Sequence, residues 1–216
     1  MRSLSIRSVG WAAALLLAAV CSPRLAAQVG PSLGVVDANT VAKADLQSMP
    51  HMTEAIVDKI DAARPFASIT DLNKLLLAEG LTQAEAMEFY TKAFVHVDLN
   101  NGTREEILLI PGAGDRMTIE FPEYRPWRTW SQFDRQIGKY VGQEATDKLK
   151  QYVFIPVQLN SATDEDFLTI PGVGANKLRE FKEYRPWTTK AQFDREIGKY
   201  FGDKETQRLW RYMTID

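Results

Sequence analysis

The stretch Ile170-Pro171-Gly172-Val173-Gly174 has a near-copy sixty residues earlier, Ile110-Pro111-Gly112-Ala113-Gly114. Each copy lies between two short segments whose apolar residues recur at helical spacing. Glycine enters positive φ without steric cost, so two glycines this close predict a very tight connection between two helices. The second helix then begins with unpaired backbone N–H groups, which together with the helix dipole attract anions, especially phosphates. The two copies are therefore the first candidates for a functional site.

The sequence around these stretches is also repeated after sixty residues. Glu123-Tyr124-Arg125-Pro126-Trp127 returns as Glu183-Tyr184-Arg185-Pro186-Trp187. A fainter copy lies sixty-one residues before the first of these, where Arg64-Pro65-Phe66 matches Arg125-Pro126-Trp127. We therefore predict three tandem units, and their boundaries are 28–97, 98–156 and 157–216. A unit of about sixty residues buries a core only marginally by itself, so we expect the units to pack together.

Local signals predict an all-α fold, and no alternating strand pattern competes with the helical one. In the third unit, Thr163 begins a sequence typical of a capping box, and helices are expected over 163–170 and 175–184. In the second unit, Pro122 occupies the position of Lys182. Since proline inside a helix removes a hydrogen bond and clashes with the preceding turn, we expect the second unit's helix to be short or bent.

The first 27 residues have the pattern of a secretory signal peptide. Arg2 and Arg7 form a basic start, the apolar run 9–20 follows, and Leu25-Ala26-Ala27 offers small residues before a cut. The apolar run is much shorter than the roughly 20 residues that a bilayer requires. We therefore expect a secreted or periplasmic protein with no membrane span in the mature chain.

The single cysteine, Cys21, lies near the end of this leader. A lipoprotein interpretation would make it the lipidated first residue, but Val20 is not the small residue that precedes such a cut. Removal of residues 1–27 leaves no thiol for disulfides or thiolate chemistry. It also leaves 23 basic residues of the original 26 against 28 acidic ones, a net charge of −5. This acidity disfavours strong non-specific binding of nucleic acid, which depends on phosphate neutralisation.

The residues around the glycine pairs resemble the helix-hairpin-helix superfamily, in the paired form of exported competence proteins of the ComEA type. The similarity runs from Leu159-Asn160-Ser161-Ala162-Thr163 through 170–174 to Tyr184-Arg185-Pro186-Trp187, and it covers nearly all of the mature chain. In this family a second hairpin accompanies the first. Here 138–142 and 198–202 occupy its place, with three residues between the glycines rather than one. We expect a third helix to end at Gly198 and a fourth to follow Gly202.

The resemblance implies non-catalytic, largely sequence-independent binding of duplex DNA through backbone phosphates. The phosphate-binding residues that it implies are Gly112, Gly114, Arg116, Gly172, Gly174 and Lys177. Arg116 matches the family's basic position two residues after the second glycine. The third unit has Asn176 there and Lys177 one residue later, and Asp115 would repel a phosphate at the second unit's hairpin. Some members of the family also hold a monovalent cation on hairpin carbonyls, and no other cofactor is implied.

An alternative function is an interaction or scaffold module that contacts an envelope protein. The superfamily includes an exported member that serves protein–protein contact, the extrinsic subunit of photosystem II, and a fold does not determine a function. Under this alternative the first unit, 28–97, is the expected contact surface because it carries 9 acidic and 5 basic residues and lacks the glycine pair. An enzyme is not expected, because no motif for catalysis or phosphate loops is present. His51 and His96 stand alone, so no metal site is predicted.

Other repeated side chains are predicted to be structural. The tryptophans and tyrosines recur within helix-period patterns, which favours a role in the core over base stacking. Arg125 and Arg185 precede prolines at predicted helix ends, so we expect them to bond to helix C-terminal carbonyls rather than to phosphates.

Overall fold

The computed structural model describes residues 34–215. The predicted signal peptide, residues 1–27, lies outside the described residues, together with 28–33 and the last residue. The described part is mostly helical and contains ten helices and six strands of two residues each. The expectation of a helical protein is thus confirmed, and the short strands are a feature that the sequence did not indicate. No helix within 34–215 combines the length and the apolar character needed to cross a membrane.

The elements follow the three repeated segments. The first contains α1 (Lys43–Gln47), α2 (Glu54–Ala63), α3 (Ile69–Ala78) and α4 (Gln83–Tyr90). The second contains α5 (Arg104–Leu108), α6 (Gly114–Glu123) and α7 (Trp130–Lys150). The third contains α8 (Asp164–Leu168), α9 (Ala175–Glu183) and α10 (Lys190–Trp210). The strands are β1 (Val36–Asp37), β2 (Ala93–Phe94), β3 (Val97–Asp98), β4 (Val153–Phe154), β5 (Val157–Gln158) and β6 (Met213–Thr214).

Each pair of strands joins the beginning of a repeated segment to its end. β1 lies parallel to β2, β3 to β4, and β5 to β6. Only two residues connect one strand pair to the next: Val95-His96 between β2 and β3, and Ile155-Pro156 between β4 and β5. Each segment therefore closes on itself before the following one begins.

A reciprocal pair of hydrogen bonds recurs in all three segments. The side-chain amide of Asn160 donates to the carbonyl of Trp187 (2.8 Å) and accepts from its backbone N–H (2.7 Å). The corresponding pairs are Asn100 with Trp127 and Asn39 with Phe66. The aligned asparagines thus tie the first turn of each segment to the loop after its second helix.

Arg125 and Arg185 reinforce the same connection. The Nε and Nη2 atoms of Arg185 donate to the carbonyls of Leu159 (2.8 Å) and Ala162 (2.7 Å). The equivalent acceptors for Arg125 are the carbonyls of Leu99 and Gly102. These carbonyls precede the first helix of the segment. The expected structural role is confirmed, but the expected partners, helix C-terminal carbonyls, are wrong.

The repeated aromatic residues form much of the core. Trp127 and Trp187 are fully buried, and their indole N–H groups donate to the carbonyls of Phe121 (2.8 Å) and Phe181 (2.7 Å). Trp130 and Trp210 are partly buried and pack against the same clusters. The prediction that the tryptophans serve the core rather than base stacking is confirmed by this burial.

Two helix boundaries differ from expectation. The third helix of the last segment does not end at Gly198 but continues to Gly202, whose φ of 75° breaks α10, as Gly142 breaks α7 at φ 77°. Glycine is the residue that adopts this conformation without steric cost. In the second segment, α6 contains Pro122 in its last turn and still ends at Glu123, so the expected shortening is absent.

The first and third segments meet through buried polar groups. The hydroxyl of Tyr212 donates to Oδ2 of Asp37 (2.9 Å), and Nη2 of Arg211 donates to the carbonyl of His96 (3.0 Å). The imidazole of His96 is buried, and its Nδ1 has no hydrogen-bond partner among the described residues. The three segments are therefore not a simple row of neighbours, because the last contacts the first.

Candidate anion-binding hairpins

The hairpin of the third segment, residues 170–174, links α8 to α9. The hydroxyl of Thr163 and the carboxylate of Asp166 form the predicted capping box at the start of α8. Within the hairpin, Gly172 has φ 73°, whereas Gly174 is extended with φ −129° and ψ −172°. Only the first glycine therefore needs positive φ in this hairpin. The expectation that both need it is wrong for Gly174.

The N-terminus of α9 exposes several backbone donors. The N–H of Leu178 is the first to find a helical acceptor, the carbonyl of Gly174 at 3.0 Å. The N–H groups of Ala175, Asn176 and Lys177 have no hydrogen-bond acceptor among residues 34–215. Since no side chain caps this end of the helix, the donors are available to an external acceptor.

A cavity of about 340 Å³ opens beside these donors. Its lining consists of Gly172, Gly174, Ala175, Asn176, Lys177 and Phe201. The structure thus brings together three of the predicted site residues, Gly172, Gly174 and Lys177. An anion placed here would meet aligned N–H groups and the positive end of the α9 dipole.

Lys177 is already engaged at this site. Its ammonium donates to the carbonyl of Gly172 (2.8 Å) and lies 2.8 Å from Oε1 of Glu205. Its side chain is only 19% exposed. The ammonium therefore binds a hairpin carbonyl, the group on which the resemblance implies a monovalent cation. A carboxylate balances the charge of the ammonium.

Glu205 belongs to a chain of charged groups that reaches the first segment. Arg208 donates through Nε and Nη2 to the two carboxylate oxygens of Glu205 at 2.7 and 2.8 Å. Its Nη1 lies 3.8 Å from Oδ2 of Asp37. Burial alone would raise the pKa of Glu205, but the hydrogen bonds and charges of Arg208 and Lys177 outweigh it and lower this pKa. Glu205 is therefore a charged group beside the hairpin at neutral pH.

The hairpin of the second segment has a different geometry. Both Gly112 and Gly114 have positive φ, 83° and 63°. Asp115 is 81% exposed at the start of α6, and its carboxylate is bonded to Nη2 of Arg104 at 2.7 Å. Arg116 lies over the ring of Tyr140 at 4.1 Å, and its Nε reaches Glu120 at 3.4 Å. An exposed carboxylate thus lies in the first turn after this hairpin. Arg116, the basic residue predicted to bind phosphate here, contacts Tyr140 and Glu120 instead.

The first segment retains the turn without its glycines. His51 occupies the place of Gly112 in the sequence alignment and has φ 63°, the only positive φ of a non-glycine residue within 34–215. Its Nε2 lies 2.8 Å from the carboxylate of Glu88. Positive φ at the position of the first glycine is therefore shared by all three segments, while the side chains suited to an anion are not.

Comparison with known proteins gives no further assignment. The chain matches no protein-family model, no curated protein and no solved structure.

Sequence reasoning missed Glu205 and Arg208 as neighbours of the hairpin. A signal was present in the alignment of the repeats. The second segment has Met117 in place of Lys177 and Ala145 in place of Glu205, so the two opposite charges occur together in the third segment. Such paired differences between copies indicate a contact even when a single copy does not.

Proposed function

We propose that this protein is a non-catalytic, exported DNA-binding protein of the helix-hairpin-helix type that holds duplex DNA by its backbone phosphates. The observation that carries the proposal is the N-terminus of α9, where three unpaired N–H groups open onto a cavity with Lys177 at its edge. Backbone donors of this kind bind phosphate oxygens and read no bases, so binding would be independent of sequence. The secretory pattern of residues 1–27 supports a location outside the cytoplasm, in the periplasm or the medium.

The third segment is the main contact under this proposal. Its hairpin has no carboxylate in the first turn of α9, whereas the second hairpin has the exposed Asp115. Repulsion between that carboxylate and a phosphate makes Gly112, Gly114 and Arg116 a weaker, secondary contact. With a net charge of −5 after removal of the leader, the affinity should be low. A dissociation constant on the order of 10⁻⁴ M at physiological salt is typical of non-specific binding.

A titration of the mature protein on two duplexes of unrelated sequence tests this proposal. Binding should be equal for both duplexes at about 50 mM salt and fall steeply towards about 200 mM. Absence of binding at the lower salt would contradict the proposal, and binding insensitive to salt would contradict the phosphate mechanism.

Gly174→Val is the sharpest variant for the site. A side chain at Gly174 meets open space and a permitted backbone conformation, so the fold should persist while the added isopropyl group obstructs the cavity. The matched control is Ala191→Val on the exposed face of α10. We expect loss of DNA binding for the first and unchanged binding for the second. Equal affinity of both variants and the parent protein would remove the site from the third hairpin.

A second candidate function is an interaction or scaffold module for an envelope protein. Ile119, on the same helix as the second hairpin, is 62% exposed, and Leu108 and Leu168 are about two-fifths exposed. Apolar side chains at such positions favour contact with protein rather than with phosphate. Capture from an envelope extract with and without nuclease separates the two functions. Capture that persists after nuclease treatment would favour the module, and capture abolished by nuclease would favour DNA.

A further inference from the structure

Lys177, the cationic side chain in the lining of the cavity beside α9, is not free. The ammonium of Lys177 is shared between the Gly172 carbonyl and the Glu205 carboxylate, both at 2.8 Å. A phosphate at the cavity could gain this charge only if Lys177 left Glu205. The carboxylate itself, 26% exposed, would repel the phosphate from the same side.

Glu205 is held in this position from its other side. Arg208 forms two hydrogen bonds with it and is 2% exposed, and Asp37 of the first segment lies 3.8 Å from Nη1 of Arg208. The hydroxyl of Tyr212 bonds to the same carboxylate of Asp37. Arg208 is enclosed between the first and third segments. Glu205 and Arg208 therefore cannot move away from the hairpin together unless the two segments separate.

This arrangement is specific to the third segment. The second segment has neither the lysine nor the glutamate, since Met117 and Ala145 occupy their positions. A pair that served only the repeated fold would be expected in both copies. The pair is instead found at the hairpin whose second helix has no acidic residue in its first turn.

We propose that Glu205 is an internal competitor that sets the affinity of the third hairpin for phosphate by occupying Lys177 in the unbound protein. The inference rests on the proposed function, because it concerns the same cavity. Glu205 limits the affinity, and Lys177 becomes available to a phosphate once Glu205 is neutralised. In the parent protein the carboxylate keeps Lys177, and the backbone N–H groups of α9 bind the phosphate without it.

Glu205→Gln tests the inference in a DNA titration at low salt. Glutamine retains an acceptor for the buried Arg208 but loses the charge that holds Lys177. We expect about a fivefold gain in affinity, and a salt dependence steeper by about 0.9 in logarithmic slope, the contribution of one additional phosphate contact. The control is Glu183→Gln, which removes the same charge at the other end of α9, about 12 Å along the helix axis.

Lys177→Met separates this mechanism from a general loss of negative charge. In the parent protein it should change affinity less than twofold, because the ammonium is already occupied. In the Glu205→Gln background it should abolish the gain. Should Glu205→Gln fail to fold, Glu205→Asp keeps the charge for Arg208 while shortening the reach towards Lys177, and an intermediate gain is expected.

The outcomes distinguish this inference from the proposed function. If the parent protein binds DNA and Glu205→Gln gains no more than Glu183→Gln, the inference is overturned and the proposed function stands. An equal loss from Lys177→Met in both backgrounds likewise overturns it. Binding by Glu205→Gln alone would support the inference and show that the parent hairpin is closed to DNA. No binding by any variant would overturn both.

Discussion

Stability of the fold should fall when the pH is lowered from 7.5 to 5.5, and His96 is the expected cause. Its imidazole is completely buried in the two-residue connection between β2 and β3. Burial lowers the pKa of His96, and the nearby Arg211 lowers it further, while Asp37 and a hydrogen bond to the Gln151 backbone oppose the shift. A proton on Nδ1 would find no acceptor among the described residues. The folded protein therefore holds this imidazole neutral.

The direction of this pH dependence follows from the protonation of His96 in the unfolded and folded states. In the unfolded chain a histidine takes up its proton near pH 6.5, whereas the folded chain takes it up only at lower pH. Between these values the unfolded state binds more protons, so the free energy of unfolding decreases as the pH falls. One proton accounts for about 1.4 kcal/mol per pH unit. The expected loss between pH 7.5 and 5.5 is therefore at most about 1.4 kcal/mol, which is reached when the folded protein binds no proton at His96 over this range.

Urea unfolding at the two pH values measures this loss. His96→Gln keeps a side-chain donor for the Gln151 carbonyl but does not titrate, so its stability should change less over this range. His51→Gln, which alters the partly exposed histidine, is the control and should retain the pH dependence of the parent protein. If His96→Gln and the parent protein lose the same free energy, the burial of a neutral His96 is not the cause.

Two further predictions concern the hairpin and its contact with the first segment. Gly172→Ala should lower the free energy of unfolding by about 1–2 kcal/mol, because φ is 73° and the new methyl group would lie 3.1 Å from Arg208. Gly174→Ala should cost less than half as much, because this position has an extended backbone and open space around it. Equal unfolding midpoints for the two variants would contradict this. Tyr212→Phe removes the donor to the buried carboxylate of Asp37 and should cost about 1.5–3 kcal/mol in denaturant unfolding. A loss that persists undiminished in an Asp37→Ala background, which has no acceptor for the hydroxyl, would show that the hydrogen bond is not responsible.

The local features of the fold were predictable because they depend on neighbours in sequence. The capping box at Thr163, the helix over 175–183 and the burial of Trp127 and Trp187 follow from spacing and residue type. The strand pairs were not predictable, because two residues carry no alternation and their partners lie more than fifty positions away. Gly198 and Gly202 look equivalent in the sequence, and only packing decides that Gly202 is the one at which α10 breaks.

The candidate site was predicted in part. The positions of Gly172, Gly174 and Lys177 around one cavity follow from the hairpin motif. The divergence of the hairpins does not, because Gly114 and Gly174 occupy the same motif position with φ of 63° and −129°. The opposition of Glu205 to Lys177 depends on the return of α10 towards the hairpin. Its anchoring depends on the approach of Arg208 to Asp37 of the first segment, which no local pattern indicates.

The parallel strand pairs have a consequence for how such a chain arises. Because β3 and β4 lie side by side, the chain enters and leaves the middle segment at nearly the same place. Gene duplication can therefore add a copy, or recombination delete one, without rerouting the chain of its neighbours. Copy number is then free to change, and only residues that reach across copies, such as Tyr212 towards Asp37, must adapt to the new count.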